Sequence, residues 1–306
     1  MQIAEQVPLK EFTTFHIGGN ARYFVEIVNE QELIGALSWA REKNISFFLL
    51  AGGSNLLVSD AGFDGLVIRI KNKDVHVEGC ELRIDAGCNL LSTIRSAGEM
   101  GLGGWEKLAG IPGTVGGAVR GNAGAFGSEI QDFVTTVHAL NTITLETKDF
   151  QNTECEFSYR HSLFKDHPEW IILFVQVRLA QLESKKVCES IEETIRERER
   201  RHLQNVRAAG SFFMNPVAPQ EVRDMFETEK GVKAREGRVP AGWLIEKVGL
   251  KGERLGGAIA SLQHPNYLVN ESGHASAEEV RTLATKIKQA VKERFGIELE
   301  EEAVIL

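Results

Sequence analysis

The sequence predicts an α+β protein of about two domains, on three observations. Its 306 residues suit two domains at roughly 150 residues each. Apolar residues make up 42% and charged residues 25%, a globular balance with enough apolar side chain for one or two cores. Helix-like and strand-like periodicities alternate in the N-terminal part, and eleven of the 30 glycines fall between Gly98 and Gly127. A stretch so rich in glycine must bend tightly or approach another group through its backbone.

The elements follow in order. Asn29 can cap a helix that carries Leu33, Leu37 and Ala40 on one stripe. Ile45-Ser46-Phe47-Phe48-Leu49-Leu50 reads as a buried strand that runs into Ala51-Gly52-Gly53-Ser54-Asn55, and a second strand, Leu66-Val67-Ile68-Arg69-Ile70, comes after the turn residues Asp60 to Gly65. The period-2 runs Val75-His76-Val77 and Glu81-Leu82-Arg83-Ile84 predict half-exposed strands of another unit, to which strands at 133–145 and 171–179 also belong. Residues 182–206 contain no glycine, and Val187, Ile191 and Ile195 mark one apolar stripe on a charged helix. Near the C-terminus, Ser276 and Glu279 form a capping box for a helix lined by Val280, Leu283, Ile287 and Val291 and stopped by Gly296. The tail 297–306 reads as a final strand.

Several classes are excluded. A net charge of −8 argues against a general nucleic-acid binder, which needs a basic face to displace counterions. The longest central apolar run, Trp170 to Val175, is far short of the ~20 residues of a membrane span. No basic stretch followed by an apolar one opens the chain, so no signal peptide is expected. Cys80, Cys88, Cys155 and Cys188 make neither a CxxC pair nor a zinc spacing, which predicts reduced structural thiols, no metal and a cytoplasmic protein.

Chemistry is concentrated in two small-residue loops. Ala51-Gly52-Gly53-Ser54-Asn55-Leu56 follows a strand, and Gly110-Ile111-Pro112-Gly113-Thr114-Val115-Gly116-Gly117 is continued by Gly121-Asn122-Ala123-Gly124. Such loops expose N–H groups that can hold a pyrophosphate without lysine. Neither fits GxGxxG after a first strand or GxxxxGK[ST]. A tight turn explains either loop alone; a pair suggests a clamp for a dinucleotide.

These motifs, together with Thr13-Thr14-Phe15-His16-Ile17-Gly18-Gly19, Ser158-Tyr159-Arg160-His161-Ser162-Leu163-Phe164-Lys165, Gly210-Ser211-Phe212-Phe213-Met214-Asn215-Pro216, Ala241-Gly242-Trp243-Leu244-Ile245-Glu246, His264-Pro265-Asn266-Tyr267-Leu268-Val269-Asn270 and Leu299-Glu300-Glu301-Glu302, resemble the UDP-N-acetylenolpyruvoylglucosamine reductases, the MurB-type flavoenzymes. The likeness spans essentially the whole chain. It implies a two-subdomain FAD-binding module of the PCMH/vanillyl-alcohol-oxidase type, followed by a C-terminal α+β substrate-binding domain. The expected boundaries are 1–70 with 297–306, then 71–182, a connecting helix at 183–204, and 205–296.

The resemblance further implies non-covalent FAD, with NADPH as hydride donor, and reduction of UDP-N-acetylglucosamine enolpyruvate to UDP-N-acetylmuramate in peptidoglycan synthesis. FAD would meet Ala51, Gly52, Gly53, Ser54, Asn55, Leu56, Gly110, Ile111, Pro112, Gly113, Thr114, Gly116, Gly117, Asn122, Ala123 and Gly124. Arg160 would hold the substrate carboxylate, Ser211 would donate the proton, and Glu302 would be the catalytic acid, with Glu300 its nearest competitor. Alone, these three read as a surface ion-pair residue, a turn residue and a solvated carboxylate. The partner is a sugar nucleotide, with no nucleic acid or membrane, and the chain is expected to act as a monomer.

Some features depart from the family pattern. Met214 replaces a usual lysine, Asn205 follows Gln204 where proline is common, and the short 160–211 interval lacks a tyrosine-bearing loop, as in the shorter form of the family. His16 reads as a hydrogen-bonding histidine rather than a flavin attachment point. Lys247, Arg207 and Asn266 are candidates for the diphosphate or uridine. Two alternatives stay open: another FAD-dependent oxidoreductase that oxidises a hydroxyl, and a nucleotide-binding protein without turnover.

Overall fold

The computed structural model describes residues 1–201 and 206–306; Gln204 and Asn205 lie outside the described residues. The chain forms two compact units, one of residues 1–7, 21–53 and 64–200, the other of 8–20, 54–63 and 201–306.

In the first unit, a four-stranded sheet has the order Ala4–Pro8, Asn20–Ile27, Phe63–Ile70, Phe47–Leu50. Helix Glu30–Glu42 covers it, with the Asn29 side chain accepting from the Glu32 N–H as its cap and Leu33, Leu37 and Ala40 buried. The strand expected to be buried at 45–50 is a sheet edge. Among the described residues it pairs only with Phe63–Ile70, in parallel, and just Leu50 of Phe47–Leu50 is fully buried. Its apolar run is the same on paper as that of a central strand; position in the sheet decides burial.

A five-stranded antiparallel sheet follows in the order Thr147–Gln151, Val134–Asn141, Trp170–Arg178, Glu81–Asp85, Val75–Glu78. Strand Trp170–Arg178 is buried on both faces at Ile171, Ile172 and Leu173, whereas Gln176 and Arg178 are exposed. Ile171 and Leu173 enter a core with Val25, Leu33 and Ile68, whereas Val175 and Val177 enter another with Trp105 and Phe164. A register shift opposite His138 and Ala139 inserts one residue, so the inward face continues on the same side. Helix Ser184–Arg200 turns Val187 and Ile191 into that second core.

In the second unit, helix Ala277–Phe295 lays Val280, Leu283, Ile287 and Val291 on one core with Leu268 and Ala260 of the sheet Arg254–Leu255, Ala258–Ala260, Leu268–Asn270. The capping box of Ser276 and Glu279 forms, and Gly296 ends the helix at φ +66°. Two N-terminal pieces belong here rather than with an autonomous 1–70 subdomain. Phe15, Ile17 and Leu57 are buried in this core. Asn270 Nδ2 donates to the Phe15 carbonyl at 3.1 Å, and the Asp60 carboxylate accepts from the Ala277 N–H at 2.9 Å. The tail is less regular than expected. Only Val304–Ile305 is strand, parallel to Leu56–Leu57. Among the described residues, no helix is long and apolar enough to cross a membrane.

Candidate active site

The first glycine loop leaves strand Phe47–Leu50 with Gly53 at φ +62°. The second brings Gly113, at φ +121°, against it. A Cβ on Gly52 would lie 2.7 Å from Gly113 Cα, so the two backbones touch where any side chain would part them. Thr114 caps helix Val115–Arg120 by accepting from the Gly117 N–H at 3.2 Å. The helix amides themselves are already used, because Val115 N–H donates to Cys88 O and Gly116 N–H to Ala86 O, each at 2.9 Å. The donors left over belong to the loops. The N–H groups of Gly52, Gly53, Gly113 and Thr114 have no acceptor among the described residues, and Gly53 and Thr114 are buried. Buried donors almost always find an acceptor, and N–H groups left over in glycine loops are donors that a diphosphate takes. The residues present therefore fit FAD. Ser54, Asn55 and Leu56 continue the first loop within the second unit.

Arg160 stands in the first unit at φ +56°, in a loop closed by main-chain bonds between Ser158 and His161. Its Nη2 donates to the Gly124 carbonyl at 2.8 Å, and Lys165 Nζ donates to the Arg160 carbonyl at 2.7 Å. Asn122 is fully buried and commits its Nδ2 to Ser158 O and Glu129 Oε2, both at 2.8 Å.

The segments that carry Ser211 and Glu302 pair through their main chains in the second unit. Glu302 N–H donates to Phe212 O at 2.8 Å, Met214 N–H donates to Glu300 O at 2.9 Å, and Phe213 bridges to Glu301. Asn55 Nδ2 donates to the Glu302 carbonyl at 2.9 Å, so a predicted cofactor residue fixes the backbone of the predicted acid. The three glutamates separate by environment. Glu300 is exposed, Glu301 pairs with Lys288 at 2.9 Å, and Glu302 is half-buried. Met214 keeps its main-chain bond despite the missing lysine.

Other expectations change. Asn266 is 2% exposed, too enclosed for uridine or diphosphate. Its Oδ1 accepts from Phe213 N–H at 3.0 Å and its Nδ2 donates to Phe213 O at 2.8 Å, so it frames the Ser211 segment. Lys247 pairs with Glu229 at 2.6 Å. The Arg207 guanidinium lies against Gly273 and has no carboxylate partner among the described residues. His16 is exposed at φ +53°, and its ring makes no hydrogen bond among the described residues. Burial holds His264 below the usual imidazole range, with Arg201 adding to the effect. Its Nδ1 has no hydrogen-bond partner among the described residues, and its ring meets Tyr267 edge-on, centroids 4.6 Å apart. Burial raises the Cys88 thiol to about 11 and the Cys155 thiol to about 12. Both are free and inert.

Comparison with known proteins agrees along the whole chain. Residues 201–306 match the C-terminal domain family of UDP-N-acetylenolpyruvoylglucosamine reductase, and residues 21–147 match an FAD binding domain family. The UDP-N-acetylenolpyruvoylglucosamine reductase of Solibacter usitatus is 36% identical over 302 residues, covering 99% of this chain and 96% of that protein. The protein of the same name from Caldicellulosiruptor saccharolyticus is 38% identical over 306 residues, 99% of this chain and 91% of that one. The crystal structure of the Thermus caldophilus reductase superposes with a TM-score of 0.78 at 31% identity, covering 100% of this chain and 99% of that one.

Proposed function

The chain belongs to the UDP-N-acetylenolpyruvoylglucosamine reductase family, and from that premise we propose that Arg160, Ser211 and Glu302 carry the chemistry of this FAD-dependent oxidoreductase of peptidoglycan synthesis. When bound, FAD would supply the hydride chemistry, drawing on NADPH, that the terminal carbon of the enolpyruvyl group needs. The protein must then stabilise the enediolate that builds up on the substrate and protonate the carbon next to its carboxylate. The loops at 51–56 and 110–117, with Ala123 and Gly124, would hold FAD through their backbones.

Arg160 suits the substrate carboxylate because a guanidinium binds it through two parallel N–H bonds. The Ser211 hydroxyl donates the proton, a reasonable transfer because the enediolate carbon is a strong base. Glu302 helps only when protonated, since a second negative charge would oppose the first. Met214 leaves these roles in place. The observation that carries the reading is the Glu302 N–H bond to Phe212 O at 2.8 Å, which ties the acid's segment to the residue after the proton donor. We place the reaction in the cytoplasm, with the enzyme acting as a monomer on its sugar nucleotide; four free cysteines, two of them buried, accord with a reducing compartment.

Stopped-flow absorbance tests the assignment. In Ser211→Ala, NADPH should bleach the flavin at nearly the wild-type rate. Reoxidation by the enolpyruvyl sugar nucleotide under argon should slow by about 100-fold or more, within the span of general-acid catalysis. Equal losses in both half-reactions would make Ser211 structural. Recovery of colour only with oxygen would favour the hydroxyl-oxidising alternative.

A further inference from the structure

The Arg160 loop is made from unfavourable pieces. Asn122, Phe126, Glu156 and Arg160 all have positive φ, at +41°, +51°, +49° and +56°. Among these only Asn enters that region readily. Strain of this kind persists where the surroundings over-determine it, and it gathers at functional sites. Here the determinants can be named.

Asn122 joins the two strained segments, donating from one nitrogen to Ser158 O and to Glu129 Oε2. Its Oδ1 accepts from the Gln131 N–H at 3.3 Å. Gln131 Nε2 donates to the same Glu129 oxygen at 2.6 Å. Glu129 also pairs in register with Gly124, whose carbonyl holds the Arg160 guanidinium. No side chain fits at position 124, because a Cβ there would lie 2.7 Å from Glu129 Cγ.

We infer that Glu129, acting through Asn122, is a positioning residue for the Arg160 guanidinium. This rests on the reading of Arg160 as the carboxylate clamp. The reason is orientational. Ser158 O and the Gln131 N–H set the Asn122 amide with its nitrogen inward, and the Glu129 carboxylate, which only accepts, holds that nitrogen in the same order as a charged acceptor. An amide in its place accepts without the charge and can also turn N–H toward Asn122, so the hold of Asn122 on Ser158 O loosens. Exchanging the pair, Glu129→Gln with Gln131→Glu, restores the order. The carboxylate moved to position 131 then holds the amide nitrogen at position 129 and leaves that amide's oxygen for Asn122.

Calorimetry on the FAD-loaded protein tests this with two ligands, UDP-N-acetylmuramate, which has the carboxylate, and UDP-N-acetylglucosamine, which lacks it. Glu129→Gln should weaken the first by about tenfold, the scale of one charge-assisted hydrogen bond, and the second by less than twofold. The exchanged double variant should return the first to within about threefold of wild type. Equal weakening of both ligands, unchanged binding of both, or no recovery in the double variant would overturn the inference. Arg160→Lys is the control for the underlying reading. If it keeps the preference for the carboxylated ligand, the clamp assignment itself fails; if it loses that preference while Glu129→Gln keeps it, only the role of Glu129 fails.

Discussion

The loop carrying Arg160 and the segment carrying Glu302 are held by opposite means. Around Arg160, side chains do the holding: Asn122, Lys165 and the arginine itself bond to carbonyls of neighbouring turns whose φ angles are unfavourable. Around Glu302, extended main chain pairs with extended main chain, from Phe212 to Met214 on one side and from Asn55 to Leu57 on the other. Side-chain scaffolding can set a guanidinium in a conformation that no regular element offers, but each bond can be lost to one substitution. Main-chain pairing is indifferent to most substitutions within it and depends on the few buried amides that frame it.

The sharpest test of that contrast is Asn266→Ala. It leaves the buried Phe213 N–H and C=O without their side-chain partner, at about 1–3 kcal/mol for each unsatisfied group. Urea unfolding followed by fluorescence should show a loss of about 3 kcal/mol. A loss near zero would mean that backbone pairing alone holds the Ser211 segment. A middle-sized effect is expected for Gly52→Ala in the first unit. Its methyl would press on Gly113 Cα, so stability should fall by about 2 kcal/mol, the usual cost of overpacking. The purified protein should also retain less flavin, read as the ratio of absorbance at 450 and 280 nm. Full retention would remove the two loops from cofactor binding.

The smallest effect concerns pH. Because burial holds His264 below its ordinary 6.5, the folded chain resists a proton that the unfolded chain accepts. Stability is therefore complete above pH 6.5 and declines as the pH falls below it. The decline should be shallower in His264→Gln, seen as a flatter dependence of melting temperature between pH 6.5 and 5. Parallel curves would place the pH sensitivity elsewhere.

What can be read from the chain divides along similar lines. The caps of Asn29 and of Ser276 with Glu279 are legible because each is settled within four residues. So is the gathering of glycine where backbones touch, as Gly52 and Gly113 do. The edge position of Phe47–Leu50 is not, because sheet order is a long-range property. Nor is the use of the Val115 and Gly116 amides by Cys88 and Ala86, carbonyls about 30 residues away whose approach no local pattern announces. Asn266 misleads because an asparagine beside a proline turn can face a ligand or a backbone equally well. Arg160, Ser211 and Glu302 stand out only through the motifs around them; as isolated residue types they carry no signal.

The threading of residues 8–20 and 54–63 into the C-terminal core has an evolutionary consequence. A single crossover near residue 200 would give a recombinant whose C-terminal half inherits Phe15, Ile17 and Leu57 from a different parent. Those three must then fit, unselected, into a foreign packing arrangement. Shuffling of halves between distant lineages is thereby penalised, and the two parts are bound to diverge as one heritable piece.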